Sequence, residues 1–210
     1  MMNRALLYLA VLLLAWLPGG CGGGAGGGIE LASSGGSGGG IGGTGLTSSG
    51  TIDGFGSVFV NGIEFDTSGA EILVDGQRVG EQALGIGMVV LVVGEVNADG
   101  TTGTASRIVF DAAVRGPVQA ITRDQDGDSM LLQVLGLEVI VERTGSVFEG
   151  LSYDGVQPGD LVEVSGFENT QGRLRATRIE KKEDFLPGVS VVQLKGVVDA
   201  LNGTDFTLGG

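Results

Sequence analysis

The 210-residue sequence predicts an all-β protein: two tandem small five-stranded antiparallel barrels, part of a third repeat, and a disordered glycine-rich N-terminal tether. Three observations carry that prediction. The run Gly87-Met88-Val89-Val90-Leu91-Val92-Val93-Gly94-Glu95-Val96 returns seventy-two residues later as Gly159-Asp160-Leu161-Val162-Glu163-Val164-Ser165-Gly166-Phe167-Glu168. Both are short, β-branched and flanked by glycine, the mark of a strand inside a repeated unit. Asn-Gly and Asp-Gly pairs separate other short alternating runs, which is hairpin chemistry. Finally, residues 19–50 hold a large share of the 42 glycines, and what remains is a valine-rich chain of ordinary globular composition. Leu161, Val162 and Val164 alternate with polar residues in the later copy, whereas the earlier copy is apolar on both faces. The run 87–96 is therefore expected to be the more deeply buried of the two.

Taken in order, Met1-Met2-Asn3-Arg4 followed by the apolar run Ala5 to Leu17 matches a secretory signal too short to span a bilayer with ease. Leu17-Pro18-Gly19-Gly20-Cys21 follows. It resembles the lipobox of bacterial lipoproteins, which implies cleavage before Cys21 and a diacylglycerol on its thiol. Gly20 and Cys21 fit that pattern, whereas Pro18 stands where an aliphatic residue is expected. The alternative is an ordinary signal with an incidental cysteine, giving a soluble periplasmic or secreted protein. Residues 22–49 are Gly/Ser/Thr-rich and cannot bury enough surface to offset ordering entropy, so a flexible tether is expected there.

The first repeat is expected over 50–112. Ser57 to Phe65 holds the turn Asn61-Gly62, Glu71 to Val74 reads as a third strand before Asp75-Gly76, and Val79 to Gly85 is a short helix or an irregular connection. The long strand 87–96 and Thr104 to Phe110 complete five strands. The second repeat, 113–182, follows the same order, with Met130–Val134 and Leu137–Val141 around Gly136, then Asp160–Phe167 and Arg175–Ile179. A charged linker at 183–193 leads to 194–210, where Leu194-Lys195-Gly196-Val197-Val198 opens like the earlier units and Asn202-Gly203 offers another hairpin.

Gly50-Thr51-Ile52, the segment Val60 to Thr67, Gly87-Met88-Val89-Val90 with Gly94, and Gly100 to Ala105 together resemble a domain of unknown function found in tandem in exported bacterial proteins. The resemblance covers 50–182 and the final stub. It implies a small barrel like the oligonucleotide/oligosaccharide-binding fold, with a connection between its third and fourth strands, and it implies no activity. The second unit departs from the pattern by an acidic insertion in its first hairpin.

Composition limits function more sharply. The sequence has no histidine and a single cysteine, Cys21. That excludes Ser-His-Asp and Cys-His catalysis, His- or Cys-built zinc sites, haem and iron–sulfur ligation, and intrachain disulfides. The net charge of −13 is shared: residues 50–112 carry nine acids against Arg78 and Arg107, and residues 113–186 carry thirteen against eight bases. Such a surface disfavours nucleic acid, whose binders draw most of their affinity from phosphate neutralisation. Downstream of Trp16 there is no tryptophan, and Tyr153 is the single tyrosine, so aromatic platforms for sugars or bases are scarce.

Asp124, Asp126 and Asp128 stand at alternate positions, as in calcium loops with hard oxygen ligands. The glycine, Gly127, falls two places early for that loop, Leu135 stands where an EF-hand has its bidentate glutamate, and a solvated Asp-Gly turn is the plainer reading. Gly150-Leu151-Ser152-Tyr153-Asp154 approaches a nucleophile elbow but lacks its last glycine and any histidine partner. Arg173, Arg175, Arg178, Lys181 and Lys182 form the one basic cluster, either a docking patch for anionic partners or protection of an edge strand. No catalytic or cofactor-binding residue is expected, calcium being the one cofactor left open. The expected function is a non-enzymatic envelope module, lipid-anchored to a membrane and facing the periplasm or cell surface, where its partner is an unidentified envelope protein or glycan. The alternative is a barrel that binds an oligosaccharide, a small ligand or a cation.

Overall fold

Asn61 and Gly62 both adopt positive φ, 55° and 76°, which a short polar residue and glycine tolerate. The tight hairpin they close sets the register of the first sheet. The computed structural model describes residues 46–54, 57–203 and 205–209, and among them it is all-β with no α-helix. Signal, Cys21 and tether residues 22–45 lie outside the described residues.

The first sheet contains β1 (Leu46–Gly54), β2 (Val58–Val60), β3 (Ile63–Asp66), β4 (Glu71–Val74), β5 (Gln77–Val79), β6 (Val89–Val96) and β7 (Thr102–Phe110). Pairings β1–β2, β2–β3, β3–β7, β7–β6 and β6–β1 close a five-strand barrel. Ile52, Val58, Val60, Phe65, Val90, Val92, Ile108 and Phe110 fill it and are almost fully buried. The second sheet contains β8 (Val114–Arg123), β9 (Ser129–Val134), β10 (Leu137–Glu142), β11 (Val147–Glu149), β12 (Asp160–Glu168) and β13 (Leu174–Asp184). Pairings β8–β9, β9–β10, β10–β13, β13–β12 and β12–β8 close the same kind of ring around Val118, Leu132, Val134, Val139, Val141, Val162, Val164 and Ile179. After it, β14 (Gln193–Leu194) pairs with β8, and β15 (Val197–Asn202) pairs with β16 (Asp205–Gly209) as a separate hairpin.

Four expectations are corrected. The rings are not wholly antiparallel: β3–β7 and β10–β13 are parallel. Parity requires this, because strands that alternate direction cannot close on themselves when their number is odd. The fifth ring member is β1, not the Glu71 segment; β4 lies end to end with β3 along one edge of β7, and the 3-10 turn at Glu81–Ala83 follows β5. Residues 46–49, expected in the tether, belong to β1 and pair with 91–94, while β13 runs to Asp184, past the expected linker start. Lastly, burial is the reverse of that expected. β12 is buried at every position from Asp160 to Ser165, whereas in β6 Leu91 keeps 39% of its surface exposed.

Candidate functional site

The acidic loop Asp124–Asp128 joins β8 to β9 and is solvent-facing. Asp124 turns back to accept hydrogen bonds from the backbone N–H and the hydroxyl of Ser129, at 3.1 and 2.8 Å. The Ser129 hydroxyl is the main cause that lowers the Asp124 pKa from its ordinary value. Arg143 presses on the same loop: its N–H donates to the Asp128 carbonyl at 2.9 Å and its Nε to the Gly127 carbonyl at 3.1 Å. The Arg143 guanidinium also grips Asp154 with two bonds of 2.9 Å and stacks 4.2 Å above the Tyr153 ring. The loop's neighbour is therefore already a cation. Among the described residues no three carboxylates gather as a metal site, so Asp124, Asp126 and Asp128 are not brought together. Ser152 precedes the 3-10 turn at Tyr153–Gly155 and its carbonyl accepts the Gly155 N–H.

The basic cluster is not an edge guard, and each of its members is paired with a carboxylate. Its strand, β13, has β12 on one side and β10 and β11 on the other, so it is interior to its sheet. Arg173 pairs with Glu138 and Arg175 with Glu142, both at 2.6 Å; Lys181 pairs with Asp160 and Lys182 with Glu180, both at 2.7 Å. Arg178 pairs with Glu149 and sits 3.5 Å from Glu180.

Two polar contact sets join the rings instead. In one, the backbone at Gly85–Val89 of the first ring meets side chains on β12 and β13. The Val89 N–H donates to the Ser165 hydroxyl at 2.7 Å, the Thr177 hydroxyl reaches the Gly87 carbonyl at 2.6 Å, and Arg178 Nη1 donates to the Ile86 carbonyl at 3.0 Å. Arg178 is 6% exposed with its Nε unpartnered, and burial pushes its pKa down while the Glu180 charge opposes that shift. The close approach depends on Gly85: a Cβ there would lie 2.8 Å from Arg178 Cζ. In the other set, Arg115 of β8 bridges Asp75, in the β4–β5 turn, to Glu163 of β12. Glu163 is 4% exposed and also meets Lys182 at 3.2 Å. Burial opposes the Arg115 charge, but its hydrogen bond and charge contacts with Glu163 and then Asp75 leave its pKa raised.

Sequence reasoning did not identify Arg115, Glu163, Ser165, Thr177 or Arg178 as joint residues. The available signal was the polar outer face of the second long strand, Glu163 and Ser165, at places equivalent to Leu91 and Val93 in the first. Side chains of this seam meet backbone groups and one another, and the described arrangement defines a joined pair of small closed β-barrels. Within that class, residues 115–180, nearly all of the second ring, match the family model described as Domain of unknown function (DUF5666). The match falls on the unit expected to depart more from the pattern. No curated protein matches the chain.

Proposed function

We propose that the chain is a non-catalytic structural module of the cell envelope, built from tandem copies of one barrel like the oligonucleotide/oligosaccharide-binding fold and tethered through a lipidated Cys21. The observation that carries this reading is the seam: Arg115, Ser165, Thr177 and Arg178 of the second ring bond to Asp75 and to the Ile86–Val89 backbone of the first, which supports a spacer of two fixed rings. The ring order first-second-third-fifth-fourth, with the third and fifth strands parallel, supports the five-stranded barrel type. Repetition is supported by matching irregularities. A register shift falls at Val93/Gly94 in one ring and at Ser165/Gly166 in the other, and Asn61 and Leu135 share positive φ at the same hairpin position.

Metabolic labelling with a fatty-acid analogue tests the anchor. Incorporation that disappears in Cys21→Ala supports it, and no incorporation, or incorporation that survives the substitution, overturns it. A screen of glycans and divalent cations against the full chain tests the spacer role. Silence supports the spacer, and a saturable hit on the barrel loops favours a ligand-binding barrel instead.

A further inference from the structure

Solvent-facing positions on an antiparallel sheet are normally polar. The outer wall of the first ring breaks this rule. Leu91 on β6 and Val109 on β7 are cross-strand partners, and Leu91 is 39% exposed. In the second ring the corresponding cross-strand pair is Glu163 with Glu180. The apolar pair is thus particular to one ring and is not a requirement of the barrel.

This wall is the floor of a cleft of about 520 Å³. Leu137 of the second ring, the largely buried Leu174, and Leu194 and Val197 also line it. That volume falls within the range of small-molecule sites, about 300–1,000 Å³, and the lining is more apolar than polar. The charged rim consists of Asp111, Glu168 and Lys195. Lys195 reaches Asp111 only at 4.0 Å, and Glu168 has no ion pair among the described residues. The rim is therefore net negative, within a chain of net charge −13. The floor is a face and not an edge: β6 is hydrogen-bonded to β1 and β7 on its two sides. It offers no free backbone groups to an extended peptide.

We propose that this cleft binds a small amphiphile with an apolar body and a cationic head, the body lying on Leu91 and Val109 and the head between Asp111 and Glu168. Apolar contact supplies the affinity. The rim selects the sign of the head, because a cation gains and an anion loses Coulomb energy at the same place. This site lies between the rings, and it rests neither on the lipid anchor nor on the spacer role.

Calorimetric titration of the full chain, at low salt and below the micelle concentration, compares dodecyltrimethylammonium with dodecyl sulfate. The expected result is one saturable site for the cation and at least about tenfold weaker binding of the anion. Leu91→Gln, at a position already part-exposed, weakens the cation at least about tenfold with an unchanged thermal midpoint. Should that variant unfold, Val109→Thr serves the same purpose. Asp111→Asn with Glu168→Gln removes the preference for the cation while alkyl binding persists. Equal affinity for the two heads, non-saturating uptake, or folded floor variants that bind as the parent does would overturn the proposal.

Discussion

If the rings are locked by Arg178 seated on Gly85, the two residues must be energetically coupled, and a double-mutant cycle measures this directly. Arg178→Ala removes a charge-assisted bond to the Ile86 carbonyl and the contacts with Glu149 and Glu180. Hydrogen bonds to charged groups are worth about 1.5–3 kcal/mol. Glu149, 59% exposed at its side chain, is re-solvated when Arg178 leaves, which places the expected loss near about 2 kcal/mol. Gly85→Ala puts a Cβ 2.8 Å from Arg178 Cζ and 2.9 Å from both terminal nitrogens, so the guanidinium must move off its carbonyl partner. Overpacking of this kind costs about 1–3 kcal/mol. The gain from a stiffer unfolded chain, about 0.4–1 kcal/mol, offsets part of that cost. Once Arg178 is Ala the clash is gone, and Gly85→Ala should become neutral or mildly stabilising. The expected coupling is about 1–2 kcal/mol, with a change in sign of the Gly85 effect. Urea unfolding of the four proteins, read by circular dichroism with midpoints and slopes fitted together, gives the number. Additivity within about 0.3 kcal/mol would refute the lock.

Gly94→Ala and Gly166→Ala should each cost at least about 2 kcal/mol, because the new methyl meets a backbone carbonyl, that of Thr104 or Arg175, with no rotamer to escape by; urea midpoints that do not move would contradict this. Asp99, in the β6–β7 turn, accepts from the Thr102 hydroxyl and from the N–H groups of Thr101 and Thr102, which lowers its pKa from 3.8 to about 2. A depressed folded value means that its turn-stabilising effect is full above the unfolded pKa and lost as pH falls through about 2. A carboxyl NMR titration should place the midpoint there, and one near 3.8 would count against the turn geometry. Because Asp124, Asp126 and Asp128 do not converge and Arg143 already takes the Gly127 and Asp128 carbonyls, millimolar calcium should release no heat from the full chain; a saturable signal lost in Asp126→Asn would restore the metal reading. Glu163→Leu should destabilise by about 2–3 kcal/mol, since Arg115 and Lys182 would lose a buried partner. Leu91→Glu at the equivalent exposed place should stay within about 0.5 kcal/mol of the parent.

Strand positions were legible because β-branched runs and Asn-Gly turns are local signals, and β6, β9, β10 and β12 fall within a residue or two of their expected bounds. Ring closure was not, because it depends on which distant strands meet. Leu46-Thr47-Ser48-Ser49-Gly50 has a tether's composition, yet β6 needs a partner on its free side, and tertiary pairing overrides a weak intrinsic preference. Nor was the end-to-end placement of β3 and β4 along β7 legible, since both read as separate strands of equal standing. The basic cluster misled for a related reason. Alternation along a strand says which side chains share a face, but not whether another strand covers the edge, and β13 is covered on both.

The reversed burial of the two long strands follows from what each outer face must do. Hydrophobicity argues for burial only one way: apolar residues remain on every protein surface, and a buried polar residue is the informative case. Glu163 tolerates 4% exposure because Arg115 and Lys182 reach it, and Ser165 tolerates 3% because it accepts the Val89 N–H. Such contacts add little net stability after desolvation, but they are directional, so they fix one orientation of ring on ring where apolar faces would slide. The polar face thus specifies the joint. With orientation settled by Glu163, Ser165, Thr177 and Arg178, the wall at Leu91 and Val109 is not needed to hold the rings together. An exposed leucine is ordinary by itself; the case for a ligand beside the seam rests on Leu91 and Val109 sharing one cleft with Leu137 and Leu194 and with the carboxylates Asp111 and Glu168.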